Sequence, residues 1–184
     1  ADCNRTNHPF ESLGANMKLV ECGTLEGSDE KFGMSSFKLY DACDPGQERG
    51  DSLLVVWLHG ADMVEISPAE IKQVHCRFRL RTYFFVPQNP KPTPDGQKFD
   101  WGVSYCKAQN ENGLGFIYGH PHMDFLDAIT QQIASTQQWL GTARAYVMGY
   151  SMGGFGAYQL AAHRPTLFDA AVSIAGYGQG TLEP

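Results

Sequence analysis

One serine of this chain lies in a setting that favours nucleophilic chemistry. Ser151 is the centre of a Gly-x-Ser-x-Gly pattern over residues 149–153. A strand-like apolar run, 143–148, precedes the pattern, and a small-residue segment with helical character, 153–162, follows it. A strand, a tight turn and a helix in this order form the turn called a nucleophile elbow, which holds the serine in a strained backbone conformation. The serine then stands at the start of a helix, where backbone N–H groups favour developing negative charge.

The glycines around Ser151 are those that such a turn requires. Side chains next to the serine would crowd the bend, and Gly149 and Gly153 leave that space open. Gly154 and Gly156 allow the following helix to pack closely. The competing interpretation of the pattern is a glycine-rich turn around a buried or helix-capping serine.

The composition limits the class of protein and of partner. A length of 184 residues suits one domain, 1–184, and 42% hydrophobic residues are enough for a core. The net charge of −6 argues against nucleic acid and anionic membrane surfaces, and no apolar run approaches the ~20 residues of a membrane span. Five cysteines without a Cys-x-x-Cys pair argue against a zinc or redox motif. We therefore expect no metal and no cofactor, while the compartment (secreted or cytoplasmic) and the oligomeric state stay open.

Hydrophobic periodicity predicts the elements that position Ser151. The continuous apolar run 53–58 predicts a strand buried on both faces, and it ends at His59 and Gly60. The proline-, glycine- and asparagine-rich segment 88–121 shows no clear period and predicts a long functional loop. Its aromatic residues are expected either to line an acyl or aryl pocket or to pack in the core: Trp101, Tyr105, Phe116 and Tyr118. The other predicted elements are a hairpin of strands 17–24 and 34–41, helices 67–76 and 123–140, and strands 83–86 and 170–175.

After the hairpin, strands alternate with helices. Such alternation predicts an α/β fold with a mostly parallel sheet, helices on both faces and right-handed crossovers. Sites in such folds lie at the carboxyl ends of the strands. This places His59, Gly60 and Ser151 at one edge of the predicted sheet.

These motifs resemble the α/β-hydrolase superfamily, and most closely its esterase, polyhydroxybutyrate depolymerase-like and predicted peptidase branch. The resemblance rests on residues 58–60, 149–158, 163–172 and 174–176. It implies a three-layer core and a serine that attacks an acyl carbonyl to form an acyl-enzyme, which water then releases. It also implies an oxyanion hole formed by the backbone N–H groups of Met152 and of the residue after His59-Gly60, which is Ala61, with Asp62 as the second choice.

The chain departs from the order Ser, then acid, then His that the resemblance implies. After Ser151 it has only Asp169 and Glu183 as acids and His163 as histidine. We interpret His163 as a structural residue at the end of the elbow helix. Asp169 precedes its strand and is expected at the opposite edge of the sheet.

Three interpretations of this departure stay open. The chain is the front part of a longer hydrolase and lacks its last strands, including those that carry the acid and the base. Alternatively, His120 or His122 is a substitute base with Asp124 as its orienting acid. The third is a hydrolase-like binding protein without catalysis. His59, beside the oxyanion loop, is interpreted as a structural residue that orders that loop by hydrogen bonding.

The sequence therefore predicts a serine-dependent carboxylic ester hydrolase that acts on a small-molecule ester or acyl substrate. A serine peptidase or a thioesterase on the same fold is the alternative enzyme.

Overall fold

The computed structural model describes residues 18–24, 36–41, 52–60, 81–88, 98–101, 103–110, 113–121 and 123–176. Within these ranges no helix is long and apolar enough to cross a membrane. The described strands are β1 (Lys18–Thr24), β2 (Ser36–Asp41), β3 (Ser52–Leu58), β4 (Arg81–Pro87), β5 (Lys98–Asp100), β6 (Val103–Asn110), β7 (Gly113–Pro121), β8 (Arg144–Tyr150) and β9 (Ala170–Ile174). The described helices are α1 (Met123–Leu140) and α2 (Met152–His163).

Six strands form the main sheet in the order β1-β2-β4-β3-β8-β9. β1 pairs with β2, and β2 with β4, in antiparallel fashion. The pairs β3–β4, β3–β8 and β8–β9 are parallel. The predicted mostly parallel sheet with an antiparallel N-terminal hairpin is thus confirmed.

Strand β3 is the centre of the core. Its side chains alternate between two apolar clusters, with Leu54, Val56 and Leu58 on one face and Leu53, Val55 and Trp57 on the other, and all six are buried. Burial of each such side chain stabilises the fold by roughly 1.5–3 kcal/mol. The continuous apolar run therefore corresponds to a strand covered on both faces, as predicted.

The two described helices pack on the same face of the sheet. Buried apolar side chains of both helices belong to the cluster that contains Leu54, Val56 and Leu58: Phe125, Leu126, Ile129 and Ile133 of α1, and Met152, Ala157 and Leu160 of α2. α1 turns Phe125, Leu126, Ile129 and Ile133 inward at helical spacing, and the chain leaves it through Gly141 at φ 68°. The helix predicted over 67–76 falls outside the described residues.

The prediction of a long loop over 88–121 was wrong for most of its length. β5, β6 and β7 form a separate three-stranded antiparallel sheet. In β7 glycines alternate with large residues, in the order Gly-Leu-Gly-Phe-Ile-Tyr-Gly. Glycine carries no side chain to mark the second face of a strand, so the period of two was hidden.

His163 and Asp169 lie at the edge of the sheet opposite to Ser151. His163 ends α2, and its Nε2 lies 2.9 Å from Asp127 Oδ1 on α1. Asp169 precedes β9, and its Oδ2 accepts a hydrogen bond from the Ala145 backbone N–H at 2.9 Å. His163 is thus a residue of the helix end, and Asp169 lies at the opposite edge of the sheet, as predicted for each.

Candidate active site

Three parallel strands bring their carboxyl ends to one edge of the main sheet. Leu58 of β3 is paired with Gly149 of β8, and Tyr150 of β8 with Ile174 of β9. The segments that leave these strands, His59–Gly60, Ser151 and Ala175, therefore start at the same edge. The structure thus brings His59, Gly60 and Ser151 together at the edge of the sheet that the sequence predicted.

Ser151 adopts a strained backbone conformation between β8 and α2. Its φ is 54° and its ψ −116°, outside the regions that non-glycine residues favour. Its backbone N–H donates to the Ile174 carbonyl at 2.8 Å, which ties the turn to β9. A helix-capping serine has an extended backbone and bonds an N–H of the first turn through its hydroxyl, but the Ser151 side chain makes no such bond. The capping interpretation of the pattern is therefore wrong.

The two glycines that flank Ser151 lie where backbone meets backbone. A Cβ at Gly153 would lie 2.8 Å from the His59 carbonyl oxygen and closer still to that of Leu58. A Cβ at Gly149 would lie 2.8 Å from the Leu58 carbonyl oxygen and closer still to that of Gly153. Because backbone atoms cannot rotate away as a side chain would, neither position accommodates a side chain.

The next two glycines allow α2 to approach its neighbours. A Cβ at Gly154 would lie 2.7 Å from the Ser173 hydroxyl and 2.9 Å from the Gly176 Cα. A Cβ at Gly156 would lie 2.5 Å from Cβ and Cγ of Trp101. The first turns of α2 are thus held between β9 and the turn at Trp101.

The segment that leaves β3 lies against the elbow. A Cβ at Gly60 would lie 3.3 Å from the Tyr150 carbonyl oxygen and 3.6 Å from the Ser151 Cβ. Met152 is the first residue of α2 and is buried, and the N–H groups of a first helical turn have no partner within the helix. Ala61 and Asp62 lie outside the described residues, so the second oxyanion donor stays a prediction.

His59 is buried beneath this edge. Its Nδ1 lies 2.8 Å from the Gly60 carbonyl oxygen, which can only accept, so Nδ1 carries the proton. Burial lowers the pKa of the His59 imidazole below its ordinary value, and the bond to the Gly60 carbonyl opposes this in part. The ring is thus neutral at pH 7 and bonded to its own loop, which agrees with the structural role predicted for it.

The candidates for a substitute base are described only in part. His120 belongs to β7, where the backbone is described but the side chain is not, and His122 lies outside the described residues. Asp124 lies in the first turn of α1 with an exposed side chain. Within the described ranges no group of three or more His, Cys, Asp or Glu residues is placed to hold a metal ion.

The strained backbone of two residues near the elbow was not predicted from the sequence. Besides Ser151, the described non-glycine residues with positive φ are Trp101 at 47° and Ala175 at 50°. Trp101 lies against α2, and Ala175 precedes Gly176, which contacts Gly154 of the same helix. Backbone strain of this kind clusters at functional sites, where the surrounding structure maintains it. For Trp101 core packing is confirmed, whereas the side chains of Tyr105, Phe116 and Tyr118 lie outside the described residues.

Comparisons with known proteins agree on the fold. The sequence profile of the prolyl oligopeptidase family matches residues 118–180. No curated protein matches the chain. Among solved structures, S-formylglutathione hydrolase FrmB from Staphylococcus aureus is similar, with a TM-score of 0.52 and 15% identity over 89% of this chain and 59% of that one. The fluorophosphonate-binding serine hydrolase FphF from Staphylococcus aureus has a TM-score of 0.51 and 14% identity over 85% of this chain and 56% of that one.

A third similar structure is the peroxisomal α/β-hydrolase Lpx1 from Saccharomyces cerevisiae, with a TM-score of 0.50 and 14% identity over 86% of this chain and 44% of that one. The chain thus spans about half the length of the solved structures that it matches. The sheet order, the elbow and these likenesses together show that the chain has the α/β-hydrolase fold.

Substitution of Gly153 tests the close approach at the elbow. We expect Gly153→Ala to lower the free energy of unfolding by at least about 2 kcal/mol, because a single methyl group must displace the Leu58 and His59 carbonyls. Chemical denaturation measures this loss. Gly141→Asn is the matched control, since a Cβ at Gly141 meets nothing within 4 Å and asparagine tolerates positive φ. Equal stability of the two variants would contradict the described packing.

Burial of His59 predicts an acid-sensitive contribution to stability. The unfolded imidazole binds its proton near pH 6.5, and the folded one only at lower pH. The contribution is therefore complete above pH ~6.5 and is lost as the pH falls from there towards the lowered pKa. We expect His59→Asn to show a shallower fall in unfolding free energy below pH ~6.5 than the wild type, measured by denaturation at each pH. Identical slopes in the two proteins would show that the imidazole is not held neutral.

Proposed function

We propose that this chain carries the nucleophile of a serine hydrolase that cleaves a carboxylic ester through an acyl-enzyme. Ser151 is the nucleophile, and the backbone N–H groups of Met152 and Ala61 form the oxyanion hole. The observation that carries the proposal is the conformation of Ser151, at φ 54° in a turn packed against Gly60. A fold maintains such strain where a side chain must be presented in one direction.

The proposed reaction follows from this arrangement. The Ser151 Oγ attacks the carbonyl carbon of the ester, and a general base takes the hydroxyl proton. The carbonyl oxygen becomes an oxyanion at the N-terminus of α2, where the Met152 and Ala61 N–H groups donate to it. The intermediate then expels the alcohol, which receives the proton from the base, and water repeats the sequence on the acyl-enzyme. Loss of one oxyanion donor typically costs about 10²–10³ in rate.

The general base is not one of the histidines whose side chains the structure describes. His59 is buried and bonded to the Gly60 carbonyl. His163 ends α2, and the twelve residues of that helix place it about 18 Å from Ser151 along the helix axis. The base is thus unassigned in the described part of the chain.

The substrate class is proposed as a small-molecule ester. The support is the fold, which the chain shares with an S-formylglutathione hydrolase and a fluorophosphonate-binding serine hydrolase. The match of residues 118–180 to the prolyl oligopeptidase family supports a peptidase as the second candidate, and a thioesterase would use the same machinery. A hydrolase-like binding protein is the candidate of another class, because a serine without a base is a poor nucleophile at neutral pH.

Covalent labelling tests the nucleophile. We expect a fluorophosphonate probe to modify Ser151 in the folded protein, as located by mass spectrometry, and Ser151→Ala to abolish the label. Ser135→Ala is the matched control, since Ser135 is exposed on α1, and it should label like the wild type. Absence of label on folded wild-type protein would support the binding protein. Cleavage of p-nitrophenyl esters but not of peptide p-nitroanilides would favour the esterase over the peptidase.

Substitution of His120 and of His122 tests the substitute base. The acid that would orient either histidine, Asp124, is exposed, whereas the acid of a Ser-His-Asp triad is buried beside its histidine. We therefore expect His120→Ala and His122→Ala each to keep the rate of fluorophosphonate labelling within about threefold of wild type, since loss of a general base costs about 10²–10⁴. A loss of a hundredfold or more in a variant that remains folded would assign the base to that histidine.

A further inference from the structure

We propose that Trp101 is a positioning residue for the site, holding the segment that leaves β3 at a set distance from the elbow helix. The inference rests on the function proposed above and extends it to a residue outside the predicted catalytic set. Trp101 follows β5 and is completely buried. It reaches the site edge from the small antiparallel sheet, which is otherwise separate from the main sheet.

The first contact of Trp101 is with the backbone at the end of β3. Its indole Nε1–H donates to the His59 carbonyl oxygen at 2.9 Å. Its ring also meets the His59 imidazole edge-on, with centroids 4.9 Å apart. A directed hydrogen bond and a ring contact on the same residue fix both the peptide group and the side chain of His59.

The second contact is with α2. The glycine at 156 is required because a Cβ there would lie 2.5 Å from Cβ and Cγ of Trp101. Gly156 lies in the second turn of the helix that Ser151 begins. Trp101 thus touches both the segment after β3 and the helix that carries the nucleophile.

The backbone of Trp101 itself is consistent with this role. Its φ of 47° is costly for a bulky residue and persists only when surrounding contacts require it. The indole hydrogen bond to His59 and the close packing on Gly156 are two such contacts. Any buried indole N–H needs an acceptor, but a tryptophan that served only to fill the core would not need a strained backbone.

The consequence for the site follows from the geometry of the peptide chain. Trp101 holds the His59 carbonyl, and His59 in turn donates from Nδ1 to the Gly60 carbonyl. A peptide group is planar, so a fixed Gly60 carbonyl also fixes the direction of the N–H that follows it in the chain. That N–H belongs to the proposed second oxyanion donor. Loss of the indole N–H should therefore weaken stabilisation of the oxyanion rather than binding of substrate.

Trp101→Phe tests this role, because phenylalanine keeps an aromatic ring but has no N–H donor. We expect the rate of fluorophosphonate labelling, and kcat for an ester, to fall about tenfold to a hundredfold, with KM within about threefold. Trp57→Phe is the matched control, since Trp57 is also buried, in β3, but faces the opposite cluster. Trp57→Phe should lose about as much thermal stability as Trp101→Phe, but its kcat per labelled site should equal that of the wild type. If Trp101→Phe fails to fold, 3-benzothienylalanine at the same position keeps the indole shape, lacks the N–H and should give the same loss.

A second measurement does not depend on catalysis. In amide NMR spectra, the backbone resonances of His59 and Gly60 should move when 3-benzothienylalanine replaces Trp101, because that residue keeps a bicyclic aromatic ring of the same shape and lacks only the N–H donor to the His59 carbonyl. If these shifts are present but the wild-type protein is not labelled, the proposed hydrolase is refuted. The contact of Trp101 with residues 59–60 is then still supported. Unchanged resonances of His59 and Gly60 in the 3-benzothienylalanine variant would overturn the positioning role. If the wild type is labelled, equal labelling rates in Trp101→Phe and Trp57→Phe would overturn it as well.

Discussion

The site depends on how closely two stretches of backbone approach each other. The first turn of α2 passes so close to the end of β3 that the two backbone segments leave no room for a side chain at Gly149 or Gly153. This approach leaves Ser151 no relaxed conformation, and its backbone takes φ 54° so that α2 can run back along the sheet. The energy for that strain comes from the buried core of β3 and the helices, so the apolar run of residues 53–58 and the glycines of residues 149–156 act together.

The contacts around the elbow form a ring of backbone hydrogen bonds and close packing. β9 holds the turn through the bond from the Ser151 N–H to the Ile174 carbonyl. On the other side, Gly60 packs against Tyr150 and Ser151, and the His59 carbonyl lies against Gly153. Charge contributes little to this ring among the described residues, since the imidazole of His59 is kept neutral by burial. The arrangement is one of backbone groups held in place by packing, which is the setting that the proposed oxyanion hole requires.

Much of this could be predicted from the sequence because the relevant signals are local. Each signal lies within the element that it predicts. Examples are the apolar run of residues 53–58, the helical spacing of Phe125, Ile129 and Ile133, and the glycines around Ser151. The antiparallel sheet of β5–β7 was missed because glycines occupy most positions on one face of β7, so the alternation of side chains that marks a strand is hidden. The bond from Trp101 to His59 joins residues 42 apart, and no periodicity or turn motif encodes such a contact. The proposed second oxyanion donor, Ala61, lies outside the described residues and the base is unassigned, so both stay predictions.

The most direct test of the central claim is a crystal structure of the protein after reaction with a small phosphonate. The account predicts a covalent bond from phosphorus to the Ser151 Oγ, with Ser151 still at positive φ. It also predicts a phosphonyl oxygen about 2.7–3.1 Å from the Met152 backbone nitrogen. A phosphonate bonded elsewhere, or a Ser151 with a relaxed backbone and an oxygen that faces away from the start of α2, would contradict it.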